Sequence, residues 1–216
     1  MTRALDLAVY LVTDPALCAA RGLVETVLAA VQGGASVVQL RHKDAPDEPL
    51  IEQGRALMAA LAGSPVPVIV NDRIAVAAAI GAHGVHLGQA DASLDAARAA
   101  LGPGAIVGLS IQTVAHARAA AGLPVDYVGI GPVFATATKP DHAPPLGFDG
   151  LARVRAATHL PAVAIGGLTA EHVPGVLEAG CDGLAVVSAI CAAADPVAAA
   201  RAFRDAIAAH RAGGRQ

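Results

Sequence analysis

The chain has 216 residues, 55% of them hydrophobic and 15% charged, a balance that predicts one globular domain spanning 1–216 and excludes a disordered or fibrous chain. A formal net charge of −3 with only 2% aromatic residues offers neither a basic footprint nor stacking platforms, which argues against nucleic acid as a partner. No uninterrupted apolar run approaches the length of about eighteen residues that a membrane span needs, so no membrane association is expected. The first residues, MTRALDLAVYLVTD, lack the apolar core and small-residue cleavage site of a signal peptide, and a cytoplasmic protein is expected. Cys18, Cys181 and Cys191 fit no zinc or redox spacing and are expected to be buried, idle thiols.

Short apolar runs alternate with alanine-rich segments of helical spacing. Strands are predicted at 8–14, 36–41, 66–72, 84–88, 106–110, 127–134, 162–167 and 183–188. Helices are predicted near 22–33, 48–62, 73–81, 93–101, 112–121, 149–157, 169–179 and 195–209. Ser93, Thr169 and the Asp195-Pro196 pair read as helix starts, and glycines such as Gly81, Gly102 and Gly180 as stops. Eight βα units of roughly 27 residues each suit an α/β fold of the single-domain (β/α)8 TIM-barrel type. A doubly wound sheet is the main alternative. Near-continuous Val/Ile/Leu strands favour the barrel, and the first strand ends in Thr13-Asp14-Pro15, where a dinucleotide fold would place a glycine-rich turn.

In a barrel the ends of the strands share one face and form one site. The second strand supplies Gln39, Arg41 and Lys43, alternate residues that bring an amide, a guanidinium and an ammonium toward one anion. The third ends in Asn71-Asp72 and the fourth leads to Asp91. Two carboxylates at adjacent strand ends beside cations suit Mg²⁺, although either can equally cap the following helix. Ser110 has no His–Asp partner that would make it a nucleophile, so it reads as a hydrogen-bond donor or a cap. The last two loops, with Gly166-Gly167 and Val187-Ser188, suit a phosphate held by backbone N–H groups. His83, His86, His116 and His142 are scattered, and His86, inside a strand, reads as a hydrogen-bonded core residue.

The segment 129–147, GIGPVFATATKPDHAPPLG, runs from the sixth strand into a long polar loop carrying Thr136, Thr138 and Lys139. Lys43 and Lys139 are the only lysines beside thirteen arginines, and each follows a predicted strand. The strand ends together predict two anion pockets, one cationic and metal-assisted for a diphosphate, the other of backbone amides for a monophosphate.

The ordered strings YLVTD, QLRHKD, NDR, HLGQAD, GLS, GPVFATATKP, AIGGL and VVSAI, spread from Tyr10 to Ile190, resemble the thiamine phosphate synthase family. The resemblance implies a TIM barrel that joins 4-amino-5-hydroxymethyl-2-methylpyrimidine diphosphate to a thiazole phosphate, or its carboxylated form, with release of diphosphate. It further implies that Gln39, Arg41, Lys43, Asn71, Ser110 and Lys139 contact the pyrimidine diphosphate, with Lys139, Arg41, Lys43 and Ser110 carrying the chemistry. Asp72 and Asp91 match the Mg²⁺ ligands, and Thr136, Thr138, Gly167, Val187 and Ser188 the thiazole phosphate contacts. A thiazole tautomerase, another phosphate-sugar barrel and a silent thiamine-phosphate sensor are the competing functions. An alanine-rich helical surface is compatible with a monomer or a homo-oligomer.

Overall fold

A computed structural model describes residues 5–90, 93–138 and 143–214 of the chain. Its elements are β1 Val9–Val12, α1 Pro15–Cys18, α2 Leu23–Gln32, β2 Val37–Leu40, α3 Asp47–Ala60, β3 Val68–Asn71, α4 Ile74–Ile80, β4 Gly84–Leu87 and α5 Leu94–Leu101. They continue as β5 Ile106–Ile111, α6 Val114–Ala120, β6 Tyr127–Ile130, α7 Gly147–Arg155, β7 Ala162–Ile165, α8 Val173–Glu178, β8 Gly183–Val186, α9 Ser188–Cys191 and α10 Pro196–Gly213. All eight strands are parallel neighbours in chain order, and β8 pairs with β1 through Val9↔Leu184 and Leu11↔Val186. That last pairing closes the barrel and excludes the doubly wound sheet.

Strand alternation divides the apolar residues into two cores. Val9, Leu11, Val38, Leu40, Val70, Val85, Val107 and Val128 point outward and pack under the helices. Tyr10, Val12, Val37, Ile69, Tyr127, Val163 and Ala185 point inward and fill the barrel. Each fully buried aliphatic side chain of this kind is worth about 1.5–3 kcal/mol relative to exposure. Because both faces are apolar, no strand shows the alternating polarity of a half-exposed sheet.

Helix ends follow their local chemistry. Asp14, Ser93 and Asp195 accept the backbone N–H of Leu17, Ala96 and Ala198 at 3.0, 3.1 and 3.1 Å, satisfying donors that the first turn leaves unpaired. Thr169 forms a capping box with His172, but it opens a single 3-10 turn, Ala170–His172, before α8 begins. Gly81 closes α4 in the left-handed conformation, φ 66°, which a side chain would oppose.

Three departures from the predicted elements have local causes. The sixth strand stops at Ile130, four residues short of the predicted end, because Pro132 has no N–H to continue the ladder. Val133 and Phe134 instead donate to the Ile165 and Gly166 carbonyls at 2.8 and 3.0 Å, so the segment still lies beside β7. The short helices α1 and α9 are one turn each, below the length at which periodicity registers. The thiols of Cys18, Cys181 and Cys191 are free and buried, as expected. Among the described residues no helix is long and apolar enough to cross a membrane.

Closure leaves no space at certain inward positions. A Cβ on Gly84 would collide with the Ile106 carbonyl oxygen on the adjoining strand. Gly84→Ala is therefore expected to destabilise the fold by about 2 kcal/mol through backbone displacement, read as a lower midpoint in urea denaturation; an unchanged midpoint would contradict this packing.

Candidate active site

The carboxyl ends of the strands surround a cavity of about 490 Å³, within the range of small-molecule sites. Its cationic wall is built by β2 and β3 with their loops, which contribute Gln39, Arg41, Lys43, Asn71 and Asp72. The opposite wall comes from the loops after β6, β7 and β8, with Thr136, Thr138, Gly166, Gly167, Val187 and Ser188. Ser110 lies between them on β5. Every site residue expected from the sequence that lies among the described residues thus reaches one pocket. Asp91 and Lys139, like His142, lie outside the described residues.

Two polar contacts hold the cationic wall. Thr13 Oγ1 accepts the Arg41 backbone N–H at 2.9 Å, fixing the point where β2 becomes loop. Arg73 then staples that loop to α4: its guanidinium donates to the Lys43 carbonyl at 2.7 Å and to the Ala45 carbonyl, and pairs with Asp47 at 3.1 Å. A planar guanidinium with several donors suits such a many-point contact.

Asp72 has φ 60°, the only non-glycine with positive φ among the described residues. Its N–H donates to the His86 carbonyl at 2.9 Å, and its Oδ2 accepts from Asn71 Nδ2 at 2.6 Å. The left-handed turn comes immediately before α4, whose cap position is taken by Arg73, not Asp72. Asp72 lines the pocket. Backbone strain of this kind persists where the surroundings enforce it, commonly at functional sites.

The opposite wall depends on consecutive glycines. Gly166 and Gly167 have φ 104° and 64°. Side chains there would strike Pro132 and the Phe134–Ala135 backbone respectively, so only glycine allows β7 to turn while the 133–135 segment lies against it. Thr136 Oγ1 accepts the Thr138 N–H at 3.3 Å, curling the loop over the glycines. The single turn of α9 starts at Ser188, and its Ile190 and Cys191 N–H groups donate to the Val187 carbonyl at 3.2 and 2.9 Å.

Beneath the pocket runs a buried polar chain. Gln39 Nε2 donates to Tyr10 Oη at 2.8 Å, the two tyrosine hydroxyls are 2.6 Å apart, Tyr127 Oη lies 2.8 Å from His86 Nδ1, and His86 Nε2 lies 2.9 Å from Ser110 Oγ. Burial pushes the phenols of Tyr10 and Tyr127 above the ordinary range, so both remain protonated. His86 is hydrogen-bonded as the sequence suggests, yet it also lines the pocket, as does Tyr10. The sequence reading gave Tyr10, Tyr127 and Arg73 no role. Tyr10 and His86 share the inward parity of Val12 and Gly88, the one signal that pointed to them. His116, at the start of α6, also lines the cavity, and its Nδ1 is buried with no hydrogen-bond partner among the described residues.

A family model described as thiamine monophosphate synthase matches residues 9–190. A thiamine-phosphate synthase of Xanthobacter autotrophicus is 54% identical over 211 residues, covering 98% of this chain and 100% of that protein. One of Azorhizobium caulinodans is 51% identical over 207 residues, covering 96% and 98%. The solved thiamine phosphate pyrophosphorylase of Pyrococcus furiosus superposes with a TM-score of 0.85 at 33% identity, covering 96% of this chain and 98% of that one. A 3-hexulose-6-phosphate synthase, at 20% identity and a TM-score of 0.66, shares the fold.

Removing the Arg73 staple should release the loop that carries Lys43. Arg73→Met is expected to speed amide hydrogen exchange across 42–47 about tenfold or more, the loss of at least one charge-assisted hydrogen bond, while the β-strands keep their protection. Unchanged exchange in that loop would contradict the staple.

Proposed function

The chain belongs to the thiamine monophosphate synthase family, and on that premise we propose that it joins 4-amino-5-hydroxymethyl-2-methylpyrimidine diphosphate to a 4-methyl-5-hydroxyethylthiazole phosphate, or its carboxylated form. The products are thiamine phosphate and diphosphate. The observation that carries the reading is the meeting, around one cavity, of a cationic wall and a glycine-built wall, one suited to a departing diphosphate and the other to a monophosphate tail. A protein of this kind acts in the cytoplasm on two phosphorylated small molecules, with neither nucleic acid nor membrane. Its alanine-rich outer helices are compatible with a homo-oligomer.

In the reaction the carbon–oxygen bond between the pyrimidine's methylene and the diphosphate breaks, and the electron pair leaves with diphosphate. The aminopyrimidine ring supplies electrons to the methylene, and the thiazole nitrogen then bonds to that carbon. No protein nucleophile is required. Arg41 and Lys43, with Lys139 as the third cation of this reading, face the charge that accumulates on the leaving group, and preorganised charges of this kind act without reorganising during the step. Thr136, Thr138 and the Gly167 and Ser188 loops hold the thiazole phosphate so that its nitrogen lies near the methylene, replacing a two-body encounter with a local one. Gln39, Asn71 and Ser110 orient the pyrimidine.

The donors fit Mg²⁺. Asp72 lines the pocket, and a carboxylate there suits a cation that takes one or two carboxylates and completes its shell with phosphate oxygens and water. Asp72 and Asp91 are the proposed ligands, and Mg²⁺ when bound neutralises diphosphate charge.

The test is an assay that follows thiamine phosphate and diphosphate together, with and without Mg²⁺. Equimolar, Mg²⁺-dependent formation of both is expected, and Asp72→Asn is expected to lower turnover by roughly 10²–10³-fold. A folded protein that forms neither product would overturn the reading, and a fully active Asp72→Asn variant with unchanged Mg²⁺ dependence would overturn the metal assignment.

A further inference from the structure

The buried chain beneath the pocket has one fixed donor: Gln39 Nε2 can only donate, and it donates to Tyr10 Oη at 2.8 Å. Tyr10 Oη and Tyr127 Oη lie 2.6 Å apart, where either hydroxyl can donate. With Tyr10 donating, the Tyr127 proton goes on to His86 Nδ1 at 2.8 Å, which accepts. A ring that accepts at Nδ1 carries its proton on Nε2 and donates it to Ser110 Oγ, 2.9 Å away. The serine oxygen then accepts from within the barrel, and its own hydroxyl proton is directed to the pocket. At the other end, one N–H of the Gln39 amide is committed to Tyr10, leaving its carbonyl oxygen and its second N–H.

The barrel makes room for this chain. A Cβ on Gly108 would strike the Tyr127 ring and hydroxyl and His86 Nδ1, and one on Gly129 would press on His86 Cε1 at 3.2 Å. Both glycines occupy inward positions, Gly108 level with His86 and Tyr127, and Gly129 level with Ser110. A polar cluster serving only stability could close on itself. This one starts at Gln39 and ends at Ser110, both of which line the cavity.

We propose that Tyr10, Tyr127 and His86 are positioning residues for the aminopyrimidine substrate, forming a one-way hydrogen-bond chain that presents Gln39 as an acceptor and Ser110 as a donor to the pocket. The identity of the ligand rests on the function proposed above; the direction of the chain does not. An aminopyrimidine carries N–H donors on its amino group and acceptors at its ring nitrogens. In the productive orientation the amino group faces the Gln39 carbonyl and a ring nitrogen faces the Ser110 hydroxyl. Turned the other way, the ring sets its amino group against the Ser110 proton and a ring nitrogen against the Gln39 carbonyl, so it keeps fewer good hydrogen bonds. Chained hydrogen bonds polarise one another, so each end is a stronger partner than an isolated amide or hydroxyl.

The direction is read in the free protein from the imidazole ¹⁵N resonances of His86, assigned by their loss in His86→Gln. A neutral ring protonated at Nε2 is expected, shifting toward a mixture of tautomers in Tyr127→Phe. In steady-state kinetics Tyr127→Phe should raise KM for the pyrimidine diphosphate about tenfold, the loss of one buried hydrogen bond, with KM for the thiazole phosphate unchanged. An Nδ1-protonated His86 in the unsubstituted protein would reverse the chain and overturn the proposal. So would an unchanged KM, or an equal rise in both KM values, which marks general loosening. Should Tyr127→Phe fail to fold, the tautomer in the unsubstituted protein decides. A protein that makes no thiamine phosphate refutes the functional reading while the tautomer still tests the chain, so the two failures are distinct.

Discussion

The pairing of β8 with β1 is the contact on which the rest of the structure depends. Once the sheet closes, each strand has an inward and an outward face with no edge between them, and the inward positions compete for a narrow interior. Large inward rings are accommodated because glycines face them: Gly108 faces Tyr127 and His86, and Gly129 faces His86. The polar side chains of the site enter near the carboxyl ends, where the interior opens into the cavity, above the buried tyrosine hydroxyls. The site is therefore the upper layer of the barrel's own packing.

That layering assigns the pocket's two walls to different parts of the chain. The cationic wall comes from β2 and β3, held by Thr13 and Arg73, and the glycine-built wall comes from the loops after β6, β7 and β8. Residues that never touch a substrate set the geometry of those that do. Asp72 shows how: the His86 carbonyl and the Asn71 amide hold it in a left-handed turn at the rim of the cavity it lines.

Much of this was legible in the sequence because a polar residue that interrupts an apolar run at a strand end has few structural reasons to be there. Gln39, Arg41, Asn71, Ser110 and the Gly166-Gly167 pair all announce themselves that way. The buried chain did not, since a tyrosine or histidine inside a strand looks the same whether it fills a core or supports a site. Tyr10 and Tyr127 are 117 residues apart, and only closure brings their hydroxyls together. Arg73 was hidden for a related reason: its acceptors are backbone carbonyls of another loop, and those leave no trace in side-chain pattern. The shortened sixth strand was visible in principle through Pro132, but pairing of Val133 and Phe134 beside β7 preserves the appearance of a longer run.

The division of the cavity into a diphosphate wall and a monophosphate wall is tested most directly by comparing Arg41→Ala with Thr138→Val in steady-state kinetics with both substrates varied. Arg41→Ala should impair use of the pyrimidine diphosphate by roughly 10²-fold or more in kcat/KM, with KM for the thiazole phosphate unchanged. Thr138→Val should raise KM for the thiazole phosphate about tenfold and leave that for the pyrimidine diphosphate in place. Both variants acting on the same substrate would contradict the two-walled site.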